Sequence, residues 1–537
     1  VFDFVIVQWP DRESDRRADR RHRDHVAMSK RLAILAFCGA LAACGGGGGG
    51  SSAPSSGGNP TPVPTSNPTA APTATPTPAP TGAPLASLPL ALNVNNLPGQ
   101  FYGEIAAQFS HVSPRELVML PNGDLLVGTG GGTASFAQSG QVYIVPNAEA
   151  AVPGAPAVFA TLTDIACASS AGTNTNGIAF APSAGGGTIF VGMECSVWKI
   201  PYVTGDRVAS SAPSEFVAVR TGSPPAGSDG DVHHTTSLVA NGNELYISVG
   251  SSCNACIETD ATRAAVFKTA ITSPALVPVA TRVRNALALA VNPATGNVWA
   301  GGAGQDCMEG TQCFAAMDQT YINDGHPYEW IDPITKHAAP ADYMWPWCEE
   351  DQQPVPVPDG TTANAGTEPA GTNCANMVVA SVRAPAYATI MGAVFYAPPA
   401  GATYAFPGSF QGGLFFTLHG SWHEGTNGVP VAVPEVVFVP MSAANDTPLY
   451  PMDWTNGGSP YATWAHNSSG NPQAFMNGFQ QMGTRIGRPV GLAVGPSGSL
   501  FISDDVAGAI YRIRPGTGPQ SVKRAPASSP TGSRSQR

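Results

Sequence analysis

Charge is scarce in this chain. Asp, Glu, Lys and Arg together make up 12% of its 537 residues, about half the share usual for soluble domains. Basic clusters are missing from the middle; they gather in residues 16–23 and in the tail from Lys523 to Arg537. The net charge is −11, so the central part is more acidic than the whole. An acidic surface repels phosphate backbones, which excludes nucleic acid as a partner. Helical periodicity is nearly absent, which argues against a helical bundle. No second C-x-x-C accompanies Cys253–Cys256, so a four-cysteine zinc site lacks half its ligands. A thioredoxin-like reading fails too, because the βαβ setting is missing.

What is plentiful points the other way. Gly and Pro number 61 and 51, and hydrophobic residues reach 43%. That composition predicts a loop-rich β protein joined to a low-complexity segment. More than four hundred residues remain after the ends are set aside, enough to bury a large core.

The ends are read first. Residues 28–31 (MSKR) form a basic start, 32–40 an apolar stretch, and Leu41-Ala42-Ala43-Cys44 a lipobox-like ending. The stretch is too short to span a membrane and carries the flanks of a secretory signal. It resembles a bacterial lipoprotein signal, which implies cleavage before Cys44 and lipidation of that residue. The Gly45 that follows favours the outer membrane of a Gram-negative cell on the same resemblance. Residues 1–27 alternate Arg with Asp and Glu without apolar periodicity. They read as an over-extended or disordered leader. Residues 45–90 are nearly all Gly, Ser, Pro, Thr and Ala, an extended tether that cannot bury a core. Residues 516–537 read as a disordered tail.

Between the ends, residues 91–515, one pattern recurs. A short apolar run meets a Pro, Gly or Asn turn, and a second alternating run follows. Copies occur at 117–129, 178–198, 238–249, 287–300, 394–418 and 490–502. Each reads as a two-stranded hairpin. Six copies predict an all-β, six-bladed β-propeller, one hairpin to a blade. A β-sandwich would need fewer. The longest insertion, 307–383, is rich in Trp, Tyr, Pro, His and Asp and is expected to cover one mouth of the channel.

Ten cysteines are present, two of them within the signal. The other eight, in an exported chain, predict disulfides. The simplest pairing joins chain neighbours, 167–195, 253–256, 307–313 and 348–374, although spacing leaves the connectivity open.

Chemistry enters through a series of short motifs. DVHHTTSL at 231–238 leads into ELYISVG at 244–250 and SSCNAC at 251–256. RVRN at 282–285, GQD at 304–306 and WP at 345–346 follow. HGSW at 419–422, GRPVGLA at 487–493 and SDD at 503–505 complete the order. Each is weak alone. Together, over residues 110–515, they resemble the PQQ-dependent glucose/sorbosone dehydrogenase family. The resemblance implies quinone (PQQ)-dependent oxidation of a sugar, aldose or polyol, with Ca2+ and a periplasmic electron acceptor. The chain would then be an exported enzyme held to the membrane only by its lipid anchor.

The resemblance also assigns residues. His233 stands at the catalytic base. A His near neutral pKa suits removal of a hydroxyl proton. His234 competes, but adjacent strand residues face opposite sides, so only one can serve. Arg284 and Asn285 match a cofactor-binding pair: a guanidinium can grip a carboxylate or polarise a quinone oxygen, Asn can bond a quinone carbonyl, and Arg284 is expected to be catalytic too, stabilising the developing oxyanion. Arg282 reads as structural. Arg488 matches one of two cofactor arginines, the second position being Val490 here. His419 stands where the glucose enzymes carry Lys. These departures resemble the sorbosone-type branch. Gly304 and Gln305 match a Ca2+-binding turn that uses backbone carbonyls. Asp504 and Asp505 read as a blade-closing turn. Trp345 and Trp347 are candidates for a substrate wall. The alternative function is a non-enzymatic cell-surface propeller that binds glycans or proteins. It draws on the missing second arginine and on His419.

Overall fold

The structure is a computed structural model. It describes residues 85–89, 92–94, 101–130, 140–163, 175–223, 233–305, 329–349, 352, 372–385, 387–421, 432–442, 446–449, 474–481 and 484–516. The leader, the signal with Cys44, nearly all of the tether, the tail beyond residue 516, Asp306, Trp422, Cys167, Cys307 and Cys313 lie outside the described residues.

Six sheets repeat along the described chain, antiparallel apart from the short Ala341–Asp342 strand at the edge of one, and each of the six expected hairpins opens one of them. Blade 1 runs Pro114–Met119, Leu125–Thr129, Gln141–Val145 and Ala157–Thr161. Blade 2 runs Gly177–Ser183, Gly186–Gly192, Ser196–Val203 and Ser214–Ala218. Blade 3 runs Thr236–Asn241, Glu244–Val249, Ala265–Ala270 and Ser273–Thr281. Blade 4 runs Ala286–Val291, Val298–Gly302, Glu329–Asp332 and Val382–Ala384. Blade 5 runs Ile390–Phe395, Leu414–Leu418, Glu435–Val439 and Ala474–Asn477. Blade 6 runs Pro489–Val494, Leu500–Asp504 and Ala509–Pro515. Its outer strand comes from the other end of the domain: Phe101–Gln108 pairs antiparallel with Ala509–Pro515. That pairing joins the two ends of the domain in one blade and closes the ring. The result is a six-bladed β-propeller, as expected. Among the described residues the helical content is three short 3-10 turns, and no helix is long and apolar enough to cross a membrane.

The local chemistry explains each blade. In blade 3 the strands end at Asn241 and resume at Glu244, a two-residue turn. Gly242 opens it at φ +58°, a conformation that costs Gly nothing and burdens any other residue. Apolar side chains on the two faces of each sheet then need a partner sheet. One cluster sits between each neighbouring pair. Leu126, Ile144 and Phe159 meet Ile178 and Ile189 between blades 1 and 2. Phe501 and Ile510 meet Leu125 and Val127 between blades 6 and 1. At about 25 cal/mol per Å2 of apolar surface removed from water, these inter-blade faces are the main force holding the ring.

Two expected disulfides are present, Cys253–Cys256 and Cys348–Cys374. Cys195 is disulfide-bonded as well. Arg282 is structural, as expected: it grips the Asp342 carboxylate through Nε at 2.7 Å and through Nη2.

Candidate active site

The chemistry-bearing residues gather at one end of the channel, where innermost strands begin and second strands end. His233 precedes the innermost strand of blade 3, and Arg284 and Asn285 precede that of blade 4. Arg488 precedes that of blade 6. His419 and Asp505 follow the second strands of blades 5 and 6. Arg115 is the second residue of the innermost strand of blade 1.

His233 and His234, just before the strand that starts at Thr236, diverge. His234 Nδ1 lies 2.6 Å from Glu194 Oε1, and its side chain is 43% exposed. His233 Nδ1 lies 3.0 Å from the carbonyl oxygen of Ser251 and 2.9 Å from its hydroxyl. That hydroxyl donates to the Cys253 carbonyl at 2.7 Å, so both of its contacts with His233 are acceptors. In the neutral ring the proton therefore sits on Nδ1, and Nε2 carries the lone pair. The backbone around it is clamped: Arg220 donates to the carbonyls of His233 and of Thr235, the second at 2.6 Å. Thr235 Oγ1 donates to Asn285 Oδ1 at 3.1 Å. Gly250 lets these groups approach, since a Cβ there would stand 2.6 Å from both Asn285 Oδ1 and His233 Cβ.

Among the described residues, three acceptors hold Arg284. Nε donates to the Asn254 carbonyl at 3.0 Å, Nη2 to Asn254 Oδ1 at 2.8 Å, and Nη1 to the Gly304 carbonyl at 2.6 Å. Gly304 N–H donates to buried Glu329 at 3.0 Å. The Gly304 carbonyl thus faces a guanidinium. Gln305 differs: it is 3% exposed, and neither its Oε1 nor its Nε2 has a hydrogen-bond partner. Trp345 and Trp347 do not share one wall. Trp345 packs on Cys253, Cys256 and Ala264 with its buried Nε1 unpartnered. Trp347 packs in another cluster, on the Cys348–Cys374 disulfide.

Arg115 is a residue that motif reading missed. The innermost strands of blades 1, 4, 5 and 6 each bulge after their first residue, and a bulge re-aims a side chain. The re-aimed residues of blades 4, 5 and 6 are Leu287, Met391 and Val490, which pack together. By pairing register, Arg115 holds the corresponding position in blade 1. Arg115 is thus a buried cation in blade 1 at the strand position that Val490 holds in the neighbouring blade 6. The only signal was the recurrence of Pro114-Arg115 as Pro489-Val490 at the start of a strand.

Arg115 Nη2 meets Asp505 Oδ2 at 2.9 Å, and its buried Nε has no partner. Asp505 also meets His419 Nε2. Burial alone would raise the Asp505 pKa, but His419 and the Arg115 guanidinium outweigh it and hold the carboxylate below its usual range. Burial, with Arg488 nearby, pushes His419 down to about 3, so the ring is neutral and donates through Nε2. Arg488 donates to the His419 carbonyl at 2.8 Å and to that of Gly420 at 2.7 Å. Burial lowers it to about 9, and it remains cationic. Asp504 serves the turn expected for it, accepting from the N–H groups of Arg488, Val506 and Ala507. Asp505 opens the same turn, as expected, and its side chain faces the charged cluster. The Cys253, Cys256 and Glu258 group could hold a metal only as thiolates, and the disulfide removes them.

A family model described as TrAA12-like matches residues 112–516. No curated protein matches the chain. Among solved structures, the iodide structure of the Trichoderma reesei carbohydrate-active enzyme of family AA12 is 18% identical, with a TM-score of 0.57. The match covers 81% of this chain and 100% of that one. The calcium structure of the Trichoderma reesei AA12 enzyme is 18% identical over 80% and 99% of the two chains, with a TM-score of 0.56. The holo form of the PQQ domain of pyranose dehydrogenase from Coprinopsis cinerea is 17% identical over 81% and 99%, with a TM-score of 0.56. At these identities the likeness shows the fold.

Proposed function

The chain belongs to the TrAA12-like family, and from that premise we propose that it is an oxidoreductase acting on the CH–OH group of a sugar, aldose or polyol with PQQ and Ca2+. One observation carries the reading. An imidazole with its lone pair on Nε2 shares a channel mouth with three buried arginines and several buried polar atoms that lack partners. Such atoms cost about 1–3 kcal/mol each if left unmade, so they mark a place for a polar ligand.

The donor set fits PQQ, a planar tricarboxylic o-quinone. Arg115, Arg284 and Arg488 supply guanidinium charge, and the unpartnered Arg115 Nε, Gln305 Nε2 and Trp345 Nε1 supply donors. Guanidinium groups suit carboxylates. For Ca2+, Gln305 Oε1 is a neutral oxygen without a partner, as a hard cation prefers; the Gly304 carbonyl, already taken by Arg284, fits poorly. When bound, PQQ supplies a hydride-accepting quinone and Ca2+ supplies Lewis acidity. The chain's own work is to hold and move a proton. His233 Nε2 takes the substrate hydroxyl proton, and the Nδ1–H contacts with Ser251 steady the imidazolium that forms. Arg284 and Asn285 orient the cofactor, and His419 and Arg488 line it. Trp345 is the candidate for a stacking face toward the ligand.

The glycan- or protein-binding alternative drew on the missing second arginine and on His419; buried Arg115, at the strand position equivalent to Val490, supports the cofactor reading against the first of these. The lipobox motif supports an exported, lipid-anchored enzyme, acylated at Cys44, that passes electrons to a periplasmic acceptor.

The test is titration of the purified protein with PQQ and Ca2+, following dye reduction over a panel of sugars and polyols. Turnover is expected to require both. Failure to bind PQQ at saturating Ca2+ would overturn the assignment and return the propeller to glycan and protein partners.

A further inference from the structure

The turn from Ser251 to Cys256 touches both groups on which the proposed chemistry depends. Its first residue accepts from His233 Nδ1 through carbonyl and hydroxyl. Its fourth, Asn254, accepts from Nε and Nη2 of Arg284 through carbonyl and side-chain oxygen. The turn is tied in three ways. The Cys253–Cys256 disulfide closes it. Glu258 accepts from the Ser252 N–H at 2.5 Å and from the Ser252 hydroxyl at 2.9 Å. Ser251 N–H donates to the Arg284 carbonyl at 2.8 Å, which joins blades 3 and 4 beneath the site. Ser251, Ser252, Cys253 and Cys256 are wholly buried, with Trp345 packed over the disulfide.

We propose that Ser251 and Asn254 are positioning residues, held as one unit by the Cys253–Cys256 ring: Ser251 decides which nitrogen of His233 is basic, and Asn254 sets the plane of the Arg284 guanidinium. The proposal rests on the reading of His233 as base and Arg284 as cofactor ligand. A lone imidazole exchanges its proton between two nitrogens, and only a fixed acceptor at one makes the other a dependable base. A guanidinium likewise rotates unless its fork is matched, and the paired oxygens of Asn254 match Nε and Nη2. The hydroxyl of Ser251 passes the constraint on, because its proton is spent on the Cys253 carbonyl. The disulfide is thus the covalent floor under a base and a cation that belong to different blades.

The test uses full-length protein labelled with 15N-histidine. The chain has ten histidines, and His233→Gln assigns the one of interest. Wild type is expected to show the Nδ1–H tautomer at His233. Ser251→Ala should shift that resonance and speed its exchange. It should also lower kcat about tenfold with little change in KM and move the acidic limb of the pH profile, as loss of a histidine's orienting partner does. Asn254→Ala should leave the His233 signal in place and weaken PQQ binding about tenfold, and Asn254→Asp, which keeps the acceptor, should restore it. The Cys253→Ser/Cys256→Ser double variant should show both defects; if it does not fold, the single variants carry the test. An Nε2–H tautomer in wild type, or unchanged signals and PQQ affinity in Ser251→Ala and Asn254→Ala, would overturn the proposal. If no sugar is oxidised while the tautomer responds as described, the functional reading fails and the positioning stands.

Discussion

Nε2 of His419 lies 3.1 Å from both carboxylate oxygens of Asp505, and Arg115 reaches the same carboxylate at 2.9 Å. Three elements of the ring, from blades 1, 5 and 6, therefore share one buried charge group at the channel mouth. Removing one member leaves another charge uncompensated, and the first prediction follows from that. Arg115→Met should destabilise the fold by about 3–5 kcal/mol, the usual cost of breaking a buried pair. Adding Asp505→Asn should recover part of the loss. Urea unfolding of the single and double variants measures both, and equal stability of wild type and Arg115→Met would contradict the coupling.

Stability should depend on pH through two opposing groups. His419, lowered to about 3 by burial and Arg488, refuses a proton that the unfolded chain takes up below about 6.5. Stability should therefore fall as pH drops from about 6.5 toward 3, more steeply in wild type than in His419→Asn. Glu435 works in reverse. Burial raises it to about 8, whereas the unfolded carboxyl ionises near pH 4.5, so stability is lost as pH rises between those values. Glu435→Gln should gain Tm relative to wild type over that rise. Parallel Tm curves for wild type and Glu435→Gln between pH 4.5 and 8 would show that the carboxyl is not held neutral.

The two neighbouring histidines should separate cleanly. His233→Ala should cost at least about a hundredfold in kcat, within the range contributed by a general base, and should spare PQQ binding. His234→Ala leaves Glu194 without its partner and should affect stability more than turnover. Steady-state kinetics with thermal unfolding distinguishes them. Full turnover in His233→Ala would remove it from the mechanism.

Gly250 should resist any side chain. The added Cβ of Gly250→Ala would stand 2.6 Å from His233 Cβ and from Asn285 Oδ1, so one of them must move. Misplacement near 1 Å can cost about a hundredfold in rate. The variant should fold with near wild-type circular dichroism and lose most of its turnover; a fully active Gly250→Ala would show that the pair tolerates displacement.

Much of the fold was legible because its signals are local. Alternation at 238–249 marks strand faces, and Asn241-Gly242 marks a turn whose backbone only Gly adopts cheaply. Six such hairpins imply six blades. The pairings of Cys253 with Cys256 and of Cys348 with Cys374 match the simplest chain-neighbour scheme, which spacing alone had left open. Alternation also implied that His233 and His234 face apart, and the structure shows them apart. Less legible was the company each residue keeps. Trp345 and Trp347 stand two positions apart yet pack in different clusters, because Trp345 lies over the turn from blade 3 and Trp347 over the second disulfide.

The sequence by itself determined the repeating hairpin, the all-β class and the chemistry-bearing residue types at strand ends, since period-two patterning and turn chemistry act over a few residues. Only the tertiary structure decided that Phe101–Gln108 completes the last blade, that Arg115 takes the place in blade 1 that Val490 takes in blade 6, and that the Asp505 side chain reaches from its turn to His419. Arg115 and Asp505 are 390 residues apart. Their contact exists because inter-blade apolar packing closes the ring and brings its first and last innermost strands side by side, a consequence of burial that no local pattern carries.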